Sequence, residues 1–260
     1  MAAVLYVPEP AGVTARLRQR LLHALLPSCC LGCGRALRGQ APLGLCAGCR
    51  GRLRRADRRD RDGGGPCAGC GRRLAGPTPR GYRCGRCRAA PPACDRLLAL
   101  WSYEEPLTAV VQRLKFGRLD YLGRHLANAM ALELGAELAG LDLVVPVPLH
   151  WRRRLARGYN QAERIARPLA LRLGLPFAPA LRRSRATPPQ TSLGRAERLS
   201  NLERAFQARA VEPPLRGRRV LLVDDVATTG ATLNAAARAL KRAGAAQVVA
   251  VVAGRTPDVD

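Results

Sequence analysis

Four pairs of cysteines, each with two residues between its members, constrain the folding of this chain more than any other feature. The pairs are Cys30 and Cys33, Cys46 and Cys49, Cys67 and Cys70, and Cys84 and Cys87. A two-residue spacer allows one tight turn to point two thiolates at the same metal ion, and two such turns complete a tetrahedral site. The spacing predicts a double zinc ribbon with two structural zinc ions, because four thiolates leave no open coordination position.

A disulfide framework is the alternative interpretation of these cysteines, and it suits a secreted protein. The N-terminus lacks the basic start, apolar stretch and small-residue cleavage site of a secretory signal. We therefore expect a cytoplasmic protein with reduced thiols. Cys29 is an alternative zinc ligand in place of Cys30, whereas Cys94 is expected to be a small buried side chain.

The cysteines also divide the chain, because all ten lie within residues 29–94. Before them, apolar residues recur every four positions from Val13 to Leu25 and predict an amphipathic helix within residues 1–28. We expect three parts: this helix, the double zinc ribbon over 29–94, and a larger domain over 95–260. No apolar run approaches the ~18 residues that a membrane-spanning helix needs.

The chain is strongly basic, with a formal net charge of +25. Nearly all of its 44 basic residues are arginines, whose planar guanidinium donates two parallel hydrogen bonds to phosphate. Seven arginines fall between Arg50 and Arg61, a segment that either follows a nucleic-acid backbone or forms a solvated linker. The charge favours an anionic partner without identifying it, since a GC-rich genome also enriches arginine.

Apolar strands alternate with helical patterns after residue 95. The predicted strands are 97–103, 143–147, 220–223 and 248–252. The predicted helices are 105–114, 121–138, 160–173 and 232–243. Alternation of this kind is typical of an α/β domain in which helices cover both faces of a parallel sheet.

The most informative stretch follows the third of these strands. Asp224 and Asp225 come directly after four apolar residues, and Thr228 to Thr232 then turn into a helix through Gly230. Ligands of open α/β sheets bind where the strands end, and the free amides of a helix N-terminus favour an anion. The stretch therefore predicts a phosphate-binding loop beside two carboxylates, which suit hydroxyl groups or a magnesium-bound ligand. The sequence has neither a Walker loop nor a dinucleotide-binding fingerprint.

The same stretch resembles the phosphoribosyl pyrophosphate (PRPP) motif of type I phosphoribosyltransferases. With its cysteine-rich front, the chain resembles the ComF family (ComFC/GntX-like proteins), known from bacterial DNA uptake, over about residues 22–254. The other matching segments are 144–150, 157–161, Thr187 with Gln190, Arg198 with Asn201, and 205–206. The resemblance implies a type I phosphoribosyltransferase-like parallel sheet, with helices on both faces, behind the ribbons.

The resemblance also implies roles for individual residues. Asp224 and Asp225 would be the catalytic pair that holds the ribose hydroxyls of PRPP. The loop for the 5′-phosphate would comprise Ala227, Thr228, Thr229, Gly230, Ala231 and Thr232. The pyrophosphate loop would comprise Leu149, His150, Arg157, Asn160 and Gln161. A flexible loop that closes over the substrate would include Arg183, Arg185, Thr187 and Gln190.

For three groups of residues, the sequence allows two different roles. The four arginines at 152, 153, 154 and 157 either face the diphosphate or form a solvated basic loop. Asn160 and Gln161 either donate hydrogen bonds to the ligand or only cap a helix. Lys115, which precedes Phe116 in a pair that recurs in the family, either faces the site or caps a helix.

The leading hypothesis is a PRPP-binding protein that uses magnesium and transfers the phosphoribosyl group to an unidentified acceptor. The hood that selects this acceptor is expected over about 100–140. The alternative is a non-catalytic adaptor in natural transformation, whose zinc ribbons and basic segments bind single-stranded DNA or a helicase-like protein. The sequence leaves the acceptor and the oligomeric state open.

Overall fold

A four-stranded parallel sheet lies at the centre of the protein. The computed structural model describes residues 29–37, 39, 41–56, 63–117, 119–183 and 205–257. The strands are β1 (Arg96–Ser102), β2 (Leu143–Pro146), β3 (Leu181–Arg183), β4 (Phe206–Ala208), β5 (Arg219–Ala227) and β6 (Gln247–Arg255). The helices are α1 (Ala47–Gly51), α2 (Gly85–Ala89), α3 (Leu107–Phe116), α4 (Leu122–Leu138), α5 (Trp151–Arg157), α6 (Gln161–Leu173) and α7 (Ala231–Arg242). A 3-10 turn covers Pro42–Gly44.

The strand order of the sheet is β1-β6-β5-β2, and each neighbouring pair is parallel. Asp224 pairs with Val252, and Pro146 pairs with Val223, so the carboxyl ends of β2, β5 and β6 meet at one edge. β3 and β4 form a separate antiparallel pair. The shared carboxyl edge is the place where open α/β sheets bind their ligands.

Side chains of the strands alternate between two buried layers. On one face, Leu98, Leu221 and Val249 pack with residues of α3, α4 and α6. On the other face, Leu97 and Leu222 pack with α7 and the β3-β4 pair. Both faces are covered, which explains why the central strands are continuous apolar runs. The predicted parallel sheet with helices on both faces is confirmed.

Each predicted strand and helix of the larger domain is present, although its ends differ from those expected. Asp224 and Asp225 lie within β5 and not after it, because Asp224 still pairs with Val252 of β6. Helix α3 begins at Leu107 and not at residue 105, since Pro106 occupies the N-cap position. β5 therefore presents the two carboxylates from a regular strand, whose neighbours fix the backbone on both sides.

Helix α5 was not predicted. The arginines of 152–154 lie on this helix and not in a loop, so the interpretation as a basic loop is corrected. The helix buries none of its residues, and it therefore lacks the periodic apolar positions that indicate a helix in a sequence. Its C-cap is Gly158, with a left-handed φ of 82°.

The cysteine-rich part packs directly on the larger domain. Cys30 belongs to the same buried core as residues of α3 and α4. A short segment runs along the outer edge of β1, where the amide of Ala56 donates to the carbonyl of Leu100 at 3.1 Å. The amide of Ser102 donates in return to the carbonyl of Arg54 at 2.8 Å. The domain limits at residues 28 and 94 stay a prediction, and the segments on either side of residue 94 share one core.

Some predictions fall outside the described residues. They are the amphipathic helix of 1–28, the part of the basic segment at 57–62, and the flexible-loop residues Arg185, Thr187 and Gln190. In the portion of the chain that is described, no helix combines the length and apolar character that crossing a membrane requires.

Candidate functional site

Two buried carboxylates at the end of β5 form the centre of the candidate site. Asp224 and Asp225 are 8% and 4% exposed. The Oδ1 atom of Asp224 accepts a hydrogen bond from the amide of Asp225 at 2.9 Å. The Oδ1 atom of Asp225 accepts from the amide of Val226 at 2.8 Å. These local bonds orient both carboxylates at the carboxyl edge of the sheet.

Lys115 places a positive charge beside this pair. Its Nζ atom lies 2.9 Å from Oδ2 of Asp225, and the two side chains are 21% and 5% exposed. Lys115 belongs to the last turn of α3. The hydroxyl of Tyr159 donates to the carbonyl of Leu114 and fixes this turn. Of the two roles that the sequence left open for Lys115, the structure shows the one in which its ammonium group faces the site.

The surroundings of Asp224 disfavour its charged form. Burial raises the pKa of Asp224 well above its ordinary value of 3.8, and the neighbouring Asp225 raises it further. The amide of Asp225 and the ammonium of Lys115 lower it in part. A ligand that donates hydroxyl hydrogens, or a cation, would stabilise the ionised pair, because either one offsets the repulsion between the carboxylates.

The loop after β5 leads into the N-terminus of α7. Gly230 is the N-cap of this twelve-residue helix, and its φ of 78° is left-handed, which favours glycine. The carbonyl of Gly230 accepts from the amide of Asn234 at 2.9 Å. The hydroxyl of Thr229 accepts from the amide of Ala231 at 3.3 Å, while Thr228 and Thr229 are exposed. An exposed turn thus meets the positive end of a helix dipole, as an anion-binding site requires.

Arg255 supports the same loop from within the protein. Its guanidinium is buried and donates to the carbonyls of Thr228 and Ala227, the latter at 3.5 Å. It also donates from Nε to the carbonyl of Cys70 at 3.0 Å. Ala227 is buried at the end of β5, and Thr232 is half-buried in the first turn of α7. The sequence did not indicate Arg255, because only the pairing of β5 with β6 brings it to the loop.

The connection from β2 to α5 brings Leu149 and His150 to the carboxyl edge of the sheet. Leu149 is half-buried, and His150 is buried. The Nδ1 atom of His150 accepts from the amide of Arg152 at 3.4 Å and caps α5. Burial lowers the pKa of His150, and Arg183, Arg152 and Arg153 lower it further. The imidazole is therefore neutral at neutral pH.

Arg157 lies within electrostatic reach of the acidic pair. Burial lowers the pKa of Arg157, whereas Asp225 and Asp224 raise it. Its Nη1 atom donates to Oε1 of Gln161 at 2.7 Å, and its guanidinium lies 4.8 Å from the centre of the Phe116 ring. Phe116 thus contacts Arg157, and the preceding residue, Lys115, contacts Asp225.

Asn160 fixes the start of α6. Its Oδ1 atom accepts from the amide of Ala162 at 3.2 Å, and its Nδ2 atom donates to the carbonyl of Val147 at 2.9 Å. These bonds show the helix cap that the sequence offered as one interpretation. A contact of Asn160 or Gln161 with pyrophosphate stays a prediction.

Arg183 is the one residue of the predicted flexible loop that lies in the described part of the chain. Its guanidinium lies 5.3 Å from the centre of the Phe206 ring. Burial and then Arg153 lower the pKa of Arg183, whereas Asp224 raises it. Arg153, Arg157 and Arg183 are therefore all close enough to act electrostatically on other groups of the site.

The eight paired cysteines form two clusters that fit zinc. In each cluster, the four sulfur atoms lie within 4.8 Å of one another. The sulfur atoms of Cys33 and Cys46 are 3.8 Å apart, and those of Cys70 and Cys84 are also 3.8 Å apart. A tetrahedral ion with Zn–S bonds of ~2.3 Å requires sulfur separations of about 3.8 Å. The first cluster (Cys30, Cys33, Cys46, Cys49) and the second cluster (Cys67, Cys70, Cys84, Cys87) are therefore able to hold the two predicted zinc ions.

Backbone amides stabilise the thiolate form of one cysteine in each cluster. Burial raises the pKa of Cys30 and Cys67, but three amide hydrogen bonds to each sulfur together lower it more strongly, to about 6 and about 7. The amide of Cys46 donates to Cys30 at 3.3 Å, and that of Cys84 donates to Cys67 at 3.2 Å. Thiolates are the form that binds metal, so the repeated geometry suits metal binding in both clusters.

The two cysteines outside the four sequence pairs differ in their surroundings. Cys29 is exposed and lies outside the first cluster, in which Cys30 supplies the sulfur. Cys94 is buried, as predicted, and its thiol donates to the carbonyl of Leu233 at 3.5 Å. Cys94 therefore packs against the first turns of α7.

Comparisons with known proteins identify relatives of this chain. A family model for the phosphoribosyl transferase domain matches residues 159–258, which include the acidic pair and the loop before α7. The chain is 38% identical to the DNA utilization protein YhgH of Escherichia coli K12 over 171 residues, which cover 64% of this chain and 74% of that protein. It is 33% identical to Competence protein F of Haemophilus influenzae over 171 residues, with 64% and 75% covered.

Among solved structures, the chain is similar to the glutamine phosphoribosylpyrophosphate amidotransferase of B. subtilis. The identity is 25%, the TM-score is 0.34, and the match covers 51% of this chain and 25% of that chain. The family-model match and the parallel sheet together confirm the predicted type I phosphoribosyltransferase-like fold.

Proposed function

The chain belongs to the ComF family, with a phosphoribosyltransferase domain behind a cysteine-rich double zinc ribbon, and from this premise we propose that it binds PRPP with Mg²⁺ and transfers the phosphoribosyl group to an acceptor. One observation carries the proposal. The buried pair Asp224 and Asp225 lies in the last residues of a central strand, and the loop at the N-terminus of α7 follows that strand directly. The carboxylates that would bind the sugar and the amides that would bind its phosphate therefore lie only a few residues apart in the chain.

The acidic pair would bind the ribose. The 2′- and 3′-hydroxyl groups would donate to Asp224 and Asp225, which supplies the hydrogen bonds that buried carboxylates require. Lys115 would orient Asp225 through its contact at 2.9 Å. These contacts position the sugar without forming a covalent bond to the protein.

The loop from Ala227 to Thr232 would bind the 5′-phosphate. Amides of the turn and the positive end of the α7 dipole both favour a phosphate monoester. The hydroxyls of Thr228, Thr229 and Thr232 add donors at the same place. The exposure of Thr228 and Thr229 supports access of a ligand to this turn.

The pyrophosphate would lie on the opposite side of the acidic pair. Leu149 and the amides before α5 would approach it, and Arg157 would supply positive charge. Neutral His150 caps α5 and would hold this connection in position. The arrangement separates the two anionic ends of PRPP, with the ribose hydroxyls between them.

Two kinds of metal belong to the proposal. The oxygen donors of Asp224 and Asp225 and the hydroxyls of the ligand are of the type that Mg²⁺ prefers. When bound with PRPP, Mg²⁺ would neutralise part of the diphosphate charge. Zinc in the two cysteine clusters would be structural, because the four sulfur ligands of each cluster fill its coordination.

In the proposed transfer, the bond between the anomeric carbon and the pyrophosphate oxygen breaks. The pyrophosphate leaves with the electron pair of that bond. A nucleophilic acceptor, such as a nucleobase nitrogen or an amine, forms the new bond to the carbon with its own electron pair and releases its proton to solvent. Arg157 would stabilise the departing pyrophosphate, while the acidic pair holds the ribose as positive charge develops on its ring. The hood that would select the acceptor is proposed over about 100–140, which includes α3 and α4.

Calorimetric titration tests the binding step. We expect PRPP to bind the zinc-loaded full chain in the presence of Mg²⁺, and to bind at least about tenfold more weakly when Mg²⁺ is omitted. The double variant Asp224→Asn/Asp225→Asn should lose measurable binding, whereas Asp142→Asn, a surface control, should not. Unchanged PRPP affinity in the double variant would refute the assignment of the site.

A role in DNA utilisation is the second candidate, because two relatives are named for DNA utilization and competence. Helix α5 favours it, since Trp151 is 56% exposed beside a run of arginines. Exposed aromatic rings and guanidinium groups are the contacts that single-stranded DNA uses. The protein would then act as an adaptor, whose ribbons and basic segments bind single-stranded DNA or a helicase-like partner.

Salt-dependent binding of a single-stranded oligonucleotide tests this candidate. We compare the full chain with a variant in which the arginines at 50, 52, 54 and 55 become glutamine, and with another in which those at 152–154 do. The adaptor hypothesis predicts weaker binding and a shallower salt dependence for each variant, because both changes remove arginines that would contact the DNA backbone. Equal binding by the wild type and both variants would contradict it.

A further inference from the structure

The second cysteine cluster is connected to the candidate phosphate loop through one buried side chain. Arg255 ends β6, where it pairs with Ala227 of β5. Its Nε atom donates to the carbonyl of Cys70 at 3.0 Å, and its Nη1 atom donates to the carbonyl of Thr228. Nη1 also lies 3.5 Å from the carbonyl oxygen of Ala227. A single guanidinium therefore joins a cysteine of the second cluster to two successive carbonyls of the loop.

These hydrogen bonds determine where the loop amides point. A peptide group is planar and trans, so its carbonyl and the following amide point in opposite directions. Because the carbonyl of Thr228 is turned towards Arg255, the amide of Thr229 is turned away from it. The carbonyl of Ala227 also accepts from the amide of Thr256 at 3.0 Å, which orients the amide of Thr228 in the same way. Arg255 thus contacts the carbonyl side of these peptide groups, opposite to the amides that would bind an anion.

A second set of contacts links the end of the cysteine-rich part to α7. The thiol of Cys94 donates to the carbonyl of Leu233 at 3.5 Å, and the amide of Ala93 donates to the side chain of Asn234. Asn234 in turn donates its amide to the carbonyl of Gly230 in the loop. Residues at the end of the cysteine-rich part therefore also contact the first turn of this helix.

The first cluster has different neighbours. Cys30 and Cys49 belong to the buried layer that contains α3 and α4. Near them, the amide of Leu43 donates to Nδ1 of His125 at 2.8 Å. This layer lies on the face of the sheet opposite to α7, whose apolar residues pack in the other layer. The two clusters have the same ligand set and therefore form a matched pair, of which one contacts the loop through Arg255.

We propose that Arg255 is a positioning residue through which the metal-loaded second cluster holds the phosphate loop in its ligand-binding conformation. The proposal rests on the proposed function, since the loop is taken to bind the phosphate of PRPP. Metal binding fixes the turn that contains Cys70, because the sulfur atoms of the cluster are gathered around one ion. The Cys70 carbonyl then stays in place for Arg255, and the guanidinium keeps both loop carbonyls directed inward.

Amide hydrogen exchange on the ligand-free full chain tests the positioning without PRPP. We expect peptides that cover 227–232 to exchange about tenfold faster in Arg255→Lys, because an ammonium group cannot reach both the Cys70 carbonyl and the loop carbonyls that the guanidinium joins. Cys67→Ser, which removes one ligand of the second cluster, should have the same effect. Cys30→Ser, the matched change in the first cluster, should leave exchange at 227–232 unchanged. Native mass spectrometry gives the zinc content of each protein.

The affinity for PRPP with Mg²⁺ is the second readout. Arg255→Lys and Cys67→Ser should each weaken binding by about tenfold, and the double variant should be no weaker than either one, because both changes break the same connection. Arg255→Lys is expected to retain both zinc ions, so it tests the connection even if Cys67→Ser does not fold.

The outcomes separate this inference from the function on which it rests. If wild type and variants show the expected exchange rates but none binds PRPP, the proposed function fails and the positioning stands. If wild type binds PRPP while Arg255→Lys changes neither exchange nor affinity, the inference fails alone. An equal effect of Cys30→Ser and Cys67→Ser on the loop would also overturn it.

Discussion

Replacing Lys115 with glutamine changes the charge balance around the acidic pair. The ammonium group lies 2.9 Å from Oδ2 of Asp225, whose side chain is 5% exposed. Removal of one partner of a buried ion pair leaves the other charge buried and costs about 3–5 kcal/mol of folding free energy. Because the Lys115 side chain is itself 21% exposed, we expect the lower end of this range, about 3 kcal/mol.

Thermal denaturation measures the effect. Each kcal/mol shifts the Tm of a chain of this size by about 2–4 °C, so Lys115→Gln should lower the Tm by about 6–12 °C. The matched control is Lys241→Gln. Lys241 pairs with Asp95 at 2.8 Å, but these side chains are 34% and 33% exposed, and the loss should be about 1 kcal/mol or less.

The stability of Lys115→Gln should also depend on pH. The pKa of Asp224 is higher in the folded protein than its ordinary value of 3.8, so the folded state binds more protons between those two values. Stability therefore falls as pH rises through this interval. Lys115 lowers the pKa of Asp224. The replacement of Lys115 should therefore reduce the stability of the folded protein more at neutral pH than in acid. Equal losses for Lys115→Gln and Lys241→Gln at neutral pH would refute the reasoning.

Three other changes have defined outcomes. Gly230→Ala should cost about 1–2 kcal/mol and weaken PRPP binding, because φ is 78° at this position, whereas Gly135→Ala within α4 meets open space and should not destabilise, as urea titration would show. Colorimetric release should give two zinc ions per chain, and a chelator that removes them should abolish the cooperative unfolding of the cysteine-rich part. Asp142→Asn should cost about 0.5–1 kcal/mol at neutral pH. That loss should vanish as pH falls through the folded pKa of Asp142, which hydrogen bonds from Arg219 hold below its ordinary value of 3.8.

The parts of the site that lie close together in the chain could be predicted from the sequence. Asp224, Asp225 and Gly230 are a few residues apart, and the strand–loop–helix order fixes their relation before any tertiary packing is known. The cysteine clusters were predictable for the same reason, since a two-residue spacer determines a turn. The left-handed φ of Gly34 and Gly71, just after the first and third pairs, shows the turns that this spacing requires.

Contacts between distant residues were not predictable. Lys115 meets Asp225 only after α3 packs on the sheet, and Arg255 meets Cys70 only after β6 pairs with β5. The first contact depends on how a helix packs on the sheet and the second on the register of two buried strands, and a single sequence has no local signal for either one. Helix α5 was missed for a different reason. It buries no residue, so its arginines and the exposed Trp151 follow no apolar period.

A structure of the zinc-loaded chain with PRPP and Mg²⁺ measures the central claim directly. We expect the monoester phosphate to accept hydrogen bonds from the amides between Thr228 and Thr232, while the ribose hydroxyls donate to Asp224 and Asp225. A complex in which the sugar phosphate occupies another surface, with the turn before α7 left empty, would contradict it.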